Sequence, residues 1–120
     1  MFDGQILIGG TSGPTIYSPW FPRQGDFLIA TLQVISTAAT GGTKTLKVEV
    51  ATKNTEDTGD GTVVAGDLTI EANAASFTES NTWGPGVLKE LVRFKFTISS
   101  DGDNWLFRML DNVWYDAVKA

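Results

Sequence analysis

The sequence predicts an all-β fold: a single-domain antiparallel β-sandwich, jelly-roll-like, with about eight short strands. Three observations predict it. Apolar and polar residues alternate with period two in several segments. Clusters rich in Gly, Pro, Asn and Asp interrupt the chain between them. No window carries a sustained 3.6-residue period, so no amphipathic helix is expected.

Taken in order, 5–8 and 15–17 are short strand candidates on either side of Gly9-Gly10-Thr11-Ser12-Gly13-Pro14. Ser18-Pro19-Trp20-Phe21-Pro22-Arg23 follows, bracketed by prolines. Proline removes a donor and stiffens the backbone, so this stretch is expected to be extended and outside any ladder. Segment 27–36 is apolar on both faces: Leu28, Ala30, Leu32 and Val34 on one, Phe27, Ile29 and Ile35 on the other. Such a strand is central and covered twice, or its second face is covered by another subunit. Leu46, Val48 and Val50 alternate with Lys47 and Glu49, the pattern of a half-buried strand. Further candidates are 62–64, 68–71 and 76–78, followed by the turn cluster Trp83-Gly84-Pro85-Gly86. The clearest alternation is 92–98, with Val92, Phe94, Phe96 and Ile98 on one face and Arg93, Lys95 and Thr97 on the other. Segments 105–110 and 113–115 complete the set. Trp114 and Tyr115 point to opposite faces of the last one, so one of the two lies outside the core.

The 120 residues make one domain, 1–120, and 42% hydrophobic content is enough for one core. Charged residues are sparse at 19%, and 13 glycines suit a turn-dense β-protein. The net charge is −5 and the nine basic residues form no tract. Phosphate backbones need clustered Lys and Arg, so neither nucleic acid nor an anionic membrane is expected as a partner. The N-terminus has no basic region or long apolar run, so export by a signal peptide is not expected. No segment approaches the roughly 20 apolar residues of a membrane helix.

The chain has no His and no Cys. That removes imidazole bases, thiol nucleophiles, disulfides and the usual zinc sites. No nucleophile elbow and no phosphate-binding loop occurs, so the chain is not expected to be an enzyme or to carry a cofactor. Glu56, Asp57 and Asp60 lie close together in the loop 54–61 and are weak candidates for calcium. Their spacing misses the EF-hand pattern, and a solvated hairpin tip is the better reading. Ser99-Ser100-Asp101-Gly102-Asp103-Asn104-Trp105 is similar to the Ser-x-Asp-Gly-x-x-Trp hairpin of many β-proteins, sialidase Asp-boxes among them. The match is partial, and a tight Asp-Gly hairpin over a buried Trp105 is the better reading.

What stands out chemically is aromatic and apolar. Phe2, Trp20, Phe21, Arg23, Phe27, Ile29 and Trp83 are the candidate interface or ligand contacts. Trp20 either anchors a contact or plugs one end of the sandwich. Trp83, beside Gly and Pro, either stacks on a sugar or packs on a neighbour. The whole chain resembles the small decoration (cement) proteins of tailed-phage heads and the jelly-roll accessory proteins of other virions. The likeness rests on size, acidity, Gly and Thr richness and lack of His and Cys. Its nearest signatures are 18–26, Lys53-Asn54-Thr55-Glu56-Asp57 and 88–94. The resemblance implies a virion location and a homotrimer seated on a lattice of major capsid protein. The alternative is a carbohydrate-binding module or receptor-binding tail or fibre component that uses loop tryptophans.

Overall fold

The computed structural model describes residues 5–8 (as backbone), 15–39, 44–98 and 104–116. These form ten strands: β1 (Gln5–Ile8), β2 (Thr15–Tyr17), β3 (Phe21–Pro22), β4 (Phe27–Thr37), β5 (Thr45–Lys53), β6 (Thr62–Glu71), β7 (Thr78–Trp83), β8 (Leu91–Ile98), β9 (Trp105–Met109) and β10 (Val113–Tyr115). They divide into two antiparallel five-stranded sheets. The first runs β1-β9-β4-β10, with β7 also on β4. The second runs β2-β8-β5-β6, with β3 also on β8.

The register shows that two of the strands are halves of longer ones. β7 pairs with β4 over residues 28–33, overlapping both the 32–37 stretch paired with β9 and the 27–29 stretch paired with β10. β9 and β10 therefore share the opposite edge of β4. By the same logic β2 and β3 share the edge of β8 away from β5. Counting each interrupted strand once leaves eight, ordered 1-8-3-6 and 2-7-4-5. This is a long hairpin rolled on itself, the jelly roll. Its tip is the β5–β6 connection, where Thr52 pairs with Thr62.

Alternation builds the core. β4 and β8 bury every second residue, and Leu28, Leu32, Phe94, Phe96, Trp105 and Phe107 are fully enclosed. Phe96 of the second sheet meets Phe107 of the first at 5.0 Å between ring centroids. Each such side chain contributes roughly 1.5–3 kcal/mol on burial, so this shared layer dominates stability. Trp114 packs against the core while Tyr115 stays outside, as their alternation requires.

Four expectations need correction. The segment around Phe21 is not outside the ladder: Phe21 and Pro22 pair with Val92 and Leu91. Ser18 keeps that interrupted strand in register, since its N–H donates to Phe94 O at 3.0 Å and its Oγ accepts from Phe94 N–H at 2.9 Å. The strand expected at 76–78 lies at Thr78–Trp83, where the edge of β4 templates a polar segment. Segments 62–64 and 68–71 are one strand with a bulge, which Gly66 turns at φ 105°. No hairpin joins the strands either side of the Asp101-Gly102 turn, because β8 and β9 belong to different sheets. Trp105 is nevertheless buried in the core. The turn itself lies outside the described residues.

Candidate functional site

With the inner faces committed to the core, distinctive chemistry is left to the two outer faces. On the first sheet, the outward residues of β4 divide into two zones. Toward Thr37, Thr31 hydrogen-bonds Ser80 at 2.8 Å and Arg108 Nε donates to Gln33 Oε1 at 2.6 Å. Toward the other end the face is apolar. Phe27 lies directly across the ladder from Tyr115, their rings stacked at 4.5 Å and 8°. Ile29 lies across from Val113. Phe27 and Ile29 are half-buried, while Val113 is 52% and Tyr115 43% exposed. The apolar zone is thus an outward patch of four side chains from two strands. Ile35 is exposed on the same strand but sits at a β-bulge, far along β4 from the patch.

The candidate contacts separate on this framework. Phe27 and Ile29 belong to the apolar zone. Phe21 and Trp83, expected among the contacts, do not face outward. Phe21 is 7% exposed, its ring 5.4 Å from Phe94 and 6.4 Å from Trp114, so it bridges the two sheets from inside. Trp83 ends β7 opposite Leu28 and is 2% exposed, a core residue rather than a loop aromatic. Arg23 is exposed as a residue, yet its Nη1 donates to Leu88 O at 3.1 Å and its N–H to Glu90 O at 2.9 Å. It ties the segment before β8 to β3. Phe2 lies outside the described residues. Val113 and Tyr115 complete the patch; the only sign of them in the sequence is the outward turn of Tyr115 opposite Trp114.

The outer face of the second sheet is built differently. Trp20 is half-buried there, with the Arg93 guanidinium 4.4 Å and Lys53 Nζ 4.9 Å from its ring centroid. The same guanidinium lies 4.0 Å from the Tyr17 ring, held between two aromatics. Lys53 donates to Gly59 O at 3.1 Å, and Arg93 Nη2 lies 3.6 Å from Asp60 Oδ1, which pins the loop 54–61 to this face. Gly61 makes the close approach possible. Its φ is +76°, and a Cβ there would stand 2.6 Å from Thr52 O and 3.0 Å from Trp20 Cη2. Further along, Glu49 sits between Lys47 at 3.8 Å and Lys95 at 4.0 Å.

The acidic loop does not assemble a cation site. Asp57 Oδ2 accepts from Asn54 N–H at 2.9 Å, closing the loop on itself, while Asp60 turns toward Arg93. Among the described residues no group of three or more such donors is placed to hold a metal ion. An open depression of about 390 Å³ is lined by Arg108, Met109, Leu110 and Asp111, where β9 breaks from β10. Its guanidinium is engaged by Gln33. Comparison with protein-family models, with curated proteins and with solved structures returned no match.

Proposed function

We propose that the chain is a structural subunit of a virion, a capsid decoration or cement protein that packs its first sheet against neighbouring subunits. One observation carries this reading. A sandwich whose core is already complete presents a second, outward apolar patch at Phe27, Ile29, Val113 and Tyr115. Burying such a patch stabilises an assembly at about 25 cal/mol per Å² of apolar surface. The area left exposed adds nothing to the isolated chain beyond the Phe27–Tyr115 stack, so contact with another subunit is its natural use. The jelly roll agrees with the reading without proving it, because the fold serves many functions.

The sugar-binding alternative through loop tryptophans has less support. Trp83 is enclosed in the core, and Trp20 has cations against its ring. Light scattering on the purified chain is expected to give the mass of a trimer, and Phe27→Ser the mass of a monomer. The chain is further expected to co-sediment with shells assembled from the major capsid protein of the same virus. A wild-type monomer at high concentration that leaves those shells untouched would sink the proposal.

A further inference from the structure

β6 and β7 are edge strands of different sheets, joined along one margin of the sandwich. An edge strand offers a row of backbone N–H and C=O groups on which another strand can build. The ladders show which groups these are. Val34 N–H donates to Phe77 O, so Phe77, Glu79, Asn81 and Trp83 turn their backbone groups toward β4, while Thr78, Ser80 and Thr82 turn theirs away. Ala72 N–H donates to Lys44 O, so by the same alternation Asp67, Thr69 and Glu71 turn theirs away from β5.

Much of this outward row is taken by the chain itself. Asn81 spans the two edges: its Nδ2 donates to Asp67 O on β6 at 3.1 Å, and its Oδ1 accepts from Thr82 N–H on β7 at 2.8 Å. Glu71 O accepts from Ala74 N–H at 3.0 Å. Ser76 Oγ accepts from Thr78 N–H and donates to Thr78 O, each at 3.4 Å. The bulge at Gly66 lets β6 come this close, since a Cβ there would stand 3.3 Å from Trp83 Nε1 and 3.5 Å from Asn81 Nδ2. Glu79 adds a charge. It lies across the ladder from the fully buried Leu32, so it shares the inner face of the sheet yet stays exposed at the rim. A strand added to β7 would bring its own inward side chains against that carboxylate, and burying an unpaired charge is costly.

We propose that Asn81 and Glu79 hold this margin shut against strand-to-strand pairing with a second copy of the chain. Without them the outward backbone at Ser80 templates an antiparallel β7–β7 pair centred on Ser80, with Thr78 of each copy across from Thr82 of the other. Such a pair is isologous and closes as a dimer. The margin shares no residue with the patch of Phe27, Ile29, Val113 and Tyr115, so the inference stands or falls independently of the assembly reading.

The test is sedimentation velocity on Glu79→Thr/Asn81→Thr, which puts a strand-forming residue at both positions. With rising concentration its mass is expected to reach about twice that of wild type. In hydrogen exchange the Ser80 amide is expected to gain protection, a change that mere loosening of the fold does not produce. Glu79→Thr alone breaks none of these hydrogen bonds and is expected to shift in the same direction at higher concentration. Glu79→Lys/Asn81→Thr keeps a charge at the rim and is expected to retain the wild-type mass. Placing the Thr pair in Phe27→Ser is expected to double that variant's mass too, whatever the apolar patch does. Circular dichroism confirms that each variant is folded. The proposal is overturned by an unchanged mass in both Thr variants, by equal growth of Glu79→Lys/Asn81→Thr, or by growth without protection of the Ser80 amide.

Discussion

The inner faces of the two sheets are interchangeable in kind; their outer faces are not. Inside, β4 and β9 of the first sheet and β5 and β8 of the second present apolar side chains at alternate positions and meet in one layer. Outside, the first sheet leaves Phe27, Ile29, Val113 and Tyr115 as an uncovered apolar zone, whereas the second knits cations to aromatics and carboxylates. Folding constrains the inward half of each strand and leaves the outward half almost free. Differences between the outward halves are therefore where selection for contact or ligand can act, and the contrast between the two faces is more informative than the fold they share.

The largest expected effect tests whether there is one core. Phe94→Ala in the second sheet and Phe107→Ala in the first should each lower stability by about 3–5 kcal/mol in urea denaturation. A loss below about 1 kcal/mol for either would mean that the sheets do not depend on a common layer. Next comes the second face alone. Gly61→Ala forces a Cβ against the Thr52 carbonyl at positive φ and should lose about 1–3 kcal/mol, with a change in tryptophan fluorescence as Trp20 shifts. An unchanged midpoint and spectrum would show that the loop is not clamped there.

On the first face, Phe27→Ser removes the stack on Tyr115 and should lower the stability of the isolated chain by only about 1 kcal/mol, although association is lost. A drop as large as that of Phe107→Ala would make the patch part of the core, and the contrast between the faces would collapse. The smallest effect is expected of Lys47→Gln, within about 0.5 kcal/mol and vanishing in high salt, because its pair with Glu49 is long and exposed. A larger, salt-independent loss would show that the charged face is structural.

Much of the architecture was legible where side chains alternate. The patterns at 46–50 and 92–98 lie within β5 and β8, and the two-faced apolar run at 27–36 is β4, whose outward Phe27 and Ile29 lie in the apolar zone. What escaped depends on partners distant in the chain. Thr78-Glu79-Ser80-Asn81-Thr82 has no apolar alternation of its own; it is a strand because β4 offers it an edge. Gly66 looks like a break in sequence and is a bulge in space. Trp83 sits beside Gly84 and Pro85 as a loop residue would, but its place opposite Leu28 encloses it. The pairing of Tyr17 with Arg93 exists only through the β2–β8 register, which no local pattern encodes.

The rolled hairpin also sets an order of events in time. Thr52 and Thr62 at its tip are ten positions apart, whereas Gln5 and Arg108 at its open end are about a hundred apart. Closing the second loop carries a larger chain-entropy penalty and brings no contacts until it is complete. Refolding should accordingly be slow, in the range of milliseconds to seconds typical of such topologies, and should start at the tip. In pulse-labelled hydrogen exchange, the amides of β5 and β6 should gain protection before those of β1. Early protection of β1 would reverse the order. The geometry implies a zipper that closes from its middle outward, so the strand that comes first in the chain is the last to find its partner.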